Sequence, residues 1–99
     1  MSYSLLTTIE AAENLSLRLK QLRLLKKWKR TTLAQRSGVS VASLIRFEQE
    51  SKISLNNLLK LLSALGRLNE VEKLLQPPKA RSIDDLDNKL ADVSKRGLI

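Results

Sequence analysis

The sequence predicts an all-α protein of five helices with a short C-terminal appendage, and three observations carry that expectation. Apolar residues make up 42% of the 99, and nearly all of them are Leu, Ile, Val and Ala. Three Gly and two Pro are too few for the many turns of a sheet protein. Leucines also recur at three- and four-residue spacing, the period of a helix with one buried face. This length allows one compact domain, expected over 1–78 with an N-terminal leader, followed by a tail over 79–99 that is partly helical or disordered.

The first helix is expected from a cap at Thr8 to about Trp28, with Ala12, Leu15, Leu19 and Leu22 along one core stripe. Leu17 and Leu24 fall off that stripe, as does Leu25 to a lesser degree. They pack either on the N-terminal residues Tyr3 to Leu6 or on a second copy or partner. Residues 30–37 form a two-turn helix that buries Leu33 and Ala34, and Gly38 ends it, since glycine takes a positive φ without steric cost. Val39 anchors the turn, and Ser40 caps a second short helix over 41–49. Two short helices joined by a Gly-containing turn make a helix-turn-helix. Ser54 caps a fourth helix with Leu55, Leu58, Leu59, Leu62 and Leu65 inward and Gly66 at its end. A fifth, over about 69–75, brings Val71, Leu74 and Leu75 to the core before Gln76-Pro77-Pro78 stops it. In the tail, Ser82 and Asp85 form a capping box ahead of Ile83, Leu86, Leu90 and Val93, a marginal amphipathic helix that is disordered alone or folded against something else.

Composition removes whole classes of function. The chain has no Cys and no His, so zinc and iron–sulfur sites lack ligands and nucleophilic triads lack an imidazole. No metal, no cofactor and no catalytic centre are expected. No apolar run approaches the roughly 20 residues that cross a bilayer, and the start MSYSLLTTIE lacks the features of a signal peptide. A cytoplasmic protein is expected.

Charge is concentrated in one third of the chain. Between residues 15 and 47 there are nine basic residues (Arg18, Lys20, Arg23, Lys26, Lys27, Lys29, Arg30, Arg36, Arg46) and no acidic one, which accounts for the whole net charge of +8. A polyanion is the expected partner, nucleic acid being the commonest, and the bland alternative is a solvated surface. Projected at about 100° per residue, 41–49 places Leu44 and Phe47 on one side and Ala42, Arg46 and Gln49 on the other, with Ser43 and Ile45 flanking. That outward face is narrow enough for a groove about 12 Å wide. Glu48 projects toward the buried side, where a carboxylate needs a partner; Arg23 is the candidate, and a simply exposed Glu48 is the alternative.

With these residues in place, WKRTTLAQRSGVSVASLIRFEQESKISLNNLLKLLSALG resembles the phage repressor/Cro (XRE) helix-turn-helix family over about Leu15 to Leu75. The carriers are Trp28, Leu33-Ala34, Gly38-Val39-Ser40, Leu44, Phe47, Glu48, and Ser54-Leu55 with Leu58-Leu59. The resemblance implies a five-helix repressor-type bundle, base-edge contacts from Val41, Ala42, Ile45 and Arg46, and an Arg23–Glu48 pair. Arg30 stands where the family usually has a phosphate-gripping Gln, and Glu50 stands where it commonly has Gly. The leader SYSLLTT and the LLQPP stop before a charged tail also resemble HipB-type antitoxins, which pair with HipA-like kinases.

The expected function is a repressor of its own promoter that binds an inverted-repeat operator as a homodimer, read as the antitoxin of a toxin–antitoxin operon. Val41, Ala42, Ser43, Ile45, Arg46 and Gln49 would meet bases; Arg18, Lys29, Arg30, Thr31, Ser40 and Lys52 would meet phosphates. Alternatives are a plain phage-type repressor, and an interaction protein that restrains a HipA-like toxin kinase directly or through another small antitoxin. Leu17, Leu24, Ile83, Leu86 and Leu90 are the partner-contact candidates. A basic amphipathic helix on a membrane would leave the Gly38 turn without purpose, so no membrane partner is expected. Single-stranded RNA would need stacking aromatics, and Trp28 and Phe47 are committed to the core.

Overall fold

The computed structural model describes residues 6–78 and holds four α-helices and one 3₁₀ helix: α1 (Thr8–Leu25), α2 (Arg30–Ser37), α3 (Val41–Glu50), α4 (Leu55–Ala64) and the 3₁₀ helix Leu68–Lys73. No strand occurs among the described residues. The fold is all-α, as expected. Tyr3 and the tail residues Ile83, Leu86, Leu90 and Val93 lie outside the described residues.

α1 has its cap one residue before the expected one. Thr7 Oγ1 accepts the Glu10 N–H at 3.1 Å while the Glu10 carboxylate accepts the Thr7 N–H at 3.2 Å, so each residue satisfies the other's otherwise unpaired donor. The helix stops at Leu25 rather than at Trp28. Lys27 takes a φ of 59°, and the Trp28 N–H turns back to the Arg23 carbonyl at 3.2 Å. Leu19 is buried on the expected stripe, and Leu22 packs against the core. Leu15 departs from it and is 49% exposed, because Ser16 holds the buried position and shares a 2.8 Å hydrogen bond with Ser51.

The turn between α2 and α3 follows local chemistry. Gly38 has a φ of 80°, and its N–H closes α2 on the Ala34 carbonyl at 2.9 Å. Nothing lies within 4 Å of where a Cβ would stand. Gly38→Ala should therefore cost only the backbone strain, about 1–2 kcal/mol in chemical denaturation; a loss well beyond that would mean the turn has rearranged. Ser40 then caps α3, accepting the Ser43 N–H at 3.1 Å. At the far end Ser51 adopts a φ of 59°, and its N–H binds the Phe47 carbonyl at 2.9 Å. Ser51 thus does what a glycine commonly does, with its hydroxyl anchored by Ser16 on α1.

The core is Leu19, Leu33, Val39, Leu44, Phe47, Leu61 and Leu65, with Leu22, Trp28, Ile53, Leu58 and Ala64 packed on it. On α4 the fully buried residue is Leu61, while Leu55, expected inward, is 71% exposed. Leucine occupies so much of this helix that sequence alone does not centre its buried arc. Leu74 and Leu75, also expected in the core, are exposed. The last helix is a 3₁₀ turn ending at Lys73, so both leucines fall beyond it, and only Val71 is half-buried.

Candidate nucleic-acid interface

The face that α3 turns outward is set by what it turns inward. Leu44 and Phe47 are buried in the core. Ala42, Arg46 and Gln49 consequently stand exposed, and Val41, Ser43 and Ile45 are half-buried beside them. One long cationic side chain, one amide and several small apolar groups share a convex strip.

A three-residue ionic junction fixes the strip's orientation. The Glu48 carboxylate, on a side chain 1% exposed, receives Arg23 Nε at 2.8 Å, Arg23 Nη2 at 2.9 Å and Arg30 Nε at 3.0 Å. Arg23 Nη1 donates to the Trp28 carbonyl at 2.8 Å. The end of α1, the start of α2 and the inner side of α3 are therefore tied at one carboxylate. Burial pushes that carboxyl up, yet the hydrogen bonds and positive charges of Arg23 and Arg30 outweigh it and hold Glu48 below its ordinary 4.5. The sequence predicts the Arg23–Glu48 pair but not the second bond, from Arg30. Arg30, assigned to phosphate from sequence, has its Nε committed to Glu48 with the side chain one-third exposed.

Trp28 has a second use besides packing. Its ring lies under two cations, the Arg36 guanidinium at 4.6 Å and Lys26 Nζ at 5.2 Å, which holds positive charge around the entrance to α2. Lys29 and Thr31 are exposed at that same entrance. On the other side of α3, a cleft is lined by Ser43, Arg46, Lys52, Ile53, Ser54 and Asn57. Sequence reasoning does not single out Ser54 and Asn57 for binding; the N-cap of α4 carries them there, with the Asn57 N–H on Ser54 Oγ at 3.1 Å. Ser40 is exposed, its hydroxyl engaged with Ser43. Arg18 does not join this group. It borders a groove on the opposite flank of α1, with Leu15, Leu22, Leu58 and Arg67.

Arg46 is not wholly free. Its Nε lies 3.9 Å from a Glu50 carboxylate oxygen, both side chains being more than half exposed. Such a pair is worth about a few tenths of a kcal/mol, so it restrains the guanidinium without locking it.

Two short helices, a left-handed glycine between them, a serine cap on the second and a cation-flanked outer face make a helix-turn-helix. A family model described as helix-turn-helix matches residues 19–73, more than half of the chain. The chain belongs to that family, and its type is that of the XRE/Cro regulators. No curated protein matches the chain in a sequence comparison. As a helix-turn-helix protein it is a DNA-binding transcription regulator, and α3 occupies the place of the recognition helix. No helix among the described residues is long and apolar enough to cross a membrane.

Proposed function

We propose that this helix-turn-helix protein is a sequence-specific repressor that binds an inverted-repeat operator as a homodimer and silences its own operon. The observation that carries this reading is the outward strip of α3, held in place by the buried Glu48 junction and flanked by cations on both sides. Arg46 reads guanine O6 and N7, while Val41, Ala42 and Ile45 meet thymine methyls, with Ser43 and Gln49 completing the set. Lys29, Thr31 and the η nitrogens of Arg30 grip phosphates at the α2 entrance; Ser40, Lys52 and Asn57 do so on the α4 side. The protein has no catalytic role and works in the cytoplasm, excluding polymerase by occupancy.

The test is selection from a random duplex library. An inverted repeat with half-sites about 10–10.5 bp apart, centre to centre, is the expected product. A pool with no enriched sequence overturns the repressor reading. On the selected site Lys29→Ala should weaken binding evenly across sequence variants and reduce the salt slope by about 1; a loss confined to particular base pairs would move Lys29 from phosphate to base.

A second role is favoured by the HipB-like leader and the Pro-Pro stop before a charged tail: restraint of a HipA-like toxin kinase, directly or through a small antitoxin. Capture of a kinase encoded beside this gene, with and without residues 79–99, tests it. Equal capture by both forms removes Ile83, Leu86 and Leu90 from the contact.

A further inference from the structure

Two arginines share the Glu48 carboxylate, and they are not equivalent. Arg23 donates from Nε and Nη2 to Glu48 and from Nη1 to the Trp28 carbonyl, so each of its nitrogens is engaged inside the fold. Arg30 donates from Nε alone, at 3.0 Å, and its side chain is 34% exposed. Its η nitrogens have no partner among the described residues. Neutralising the buried carboxylate does not need this second cation, because Arg23 already sets one charge against one charge. The junction therefore carries a surplus positive charge, and its exposed member holds it. A guanidinium is planar and rigid, with donors on more than one edge. With Nε on Glu48, the η edge points away from that carboxylate, at the first residue of α2 and next to exposed Lys29 and Thr31.

We propose that Arg30 is a positioning residue for sequence reading: its Nε edge stays on Glu48 while its η edge takes a DNA phosphate, and this link sets how α3 seats in the groove. Glu48 lies on the inner side of α3 and Arg46 on the outer side of the same turn. A phosphate tied to Glu48 thus fixes the register in which Arg46 meets a base edge. Arg23 has no nitrogen left to make that link. An ammonium cannot replace it either. Its single nitrogen would need both anions within hydrogen-bonding distance of one atom, where they repel each other. This inference rests on the operator reading and adds to it the residue that couples phosphate contact to base contact.

Arg30→Lys in the full chain is the test, because the charge stays while the two-edged donor goes. Binding is measured to the selected operator, to its single-base variants and to a scrambled duplex. Operator affinity should fall about tenfold and scrambled affinity no more than about threefold, with the salt slope kept. The preference that is lost should lie at the base pair Arg46 reads. In an Arg46→Ala background the same substitution should cost operator affinity only about threefold, because independent contacts add and coupled ones do not. An even loss across all duplexes would make Arg30 an ordinary phosphate clamp, or a structural residue if the urea midpoint falls with it, and either result overturns the inference. So does the whole operator loss reappearing in the Arg46→Ala background. A wild-type preference that Arg30→Lys leaves intact sinks this inference alone, whereas a wild-type chain that prefers no duplex sinks the operator reading and this inference with it.

Discussion

Replacing Glu48 by Ala is expected to destabilise the domain by about 3–5 kcal/mol, a large share of the roughly 5–15 kcal/mol that holds most domains folded. The size follows from what remains. Arg23, 6% exposed in its side chain, would keep only the Trp28 carbonyl as partner, and its charge would be buried without an anion. Arg30 is one-third exposed and can turn to water, so its loss adds little. Urea unfolding of the variant measures the effect, and a loss under about 1 kcal/mol would show that water reaches Arg23 and that the junction contributes little. A second variant separates the pair from the penalty of an orphaned charge. Replacing Arg23 and Glu48 together by leucine should recover most of the stability, because a buried ion pair adds little over apolar packing of similar volume. The same junction sets an acid limit. With its folded pKa below 4.5, Glu48 contributes stability that is fully present above that value and is lost as pH falls through the folded pKa. In the double-leucine variant this part of the acid sensitivity should vanish.

How far the sequence reveals such features depends on whether their cause is local. The α2–turn–α3 unit is legible because a left-handed glycine and the Ser40 cap act within three or four residues of themselves, as the Ser54 cap does at the start of α4. The end of α1 is not, since Lys27 takes the left-handed turn without a glycine and the bond that fixes it runs backward from Trp28 to Arg23. Nor is the burial register of α1 and α4 legible. Leucine-rich helices offer several arcs that could be buried, and the choice is made by tertiary partners such as Ser51 against Ser16. The junction is half legible for the same reason. One helical projection pairs Glu48 with Arg23, but Arg30 arrives from a third element, and no periodicity joins residues 18 apart. Asn57 in the cleft depends on the angle at which α4 meets α3, which no spacing encodes.

Arg46→Ala should cost about 1–3 kcal/mol of operator affinity, roughly 5–150-fold, and only at particular base pairs. A guanidinium presenting two donors in one plane matches guanine O6 and N7, and removing it deprives that base of its reader while leaving phosphate contacts alone. Before binding, Glu50 draws Arg46 along the helix at 3.9 Å, so reading a base exchanges a weak carboxylate contact for a bidentate one. Two consequences separate this from an ordinary phosphate contact. Arg46→Ala should relax discrimination at its base pair with the salt slope unchanged. Glu50→Gln should do the reverse, tightening every sequence modestly by removing a negative charge near the backbone while leaving the preference order intact. Binding of both variants to a panel of single-base operator changes at several salt concentrations decides the matter. If Arg46→Ala loses affinity evenly across the panel and flattens the salt dependence, Arg46 is a phosphate clamp, and the reading of sequence falls to Gln49 and the small residues of α3.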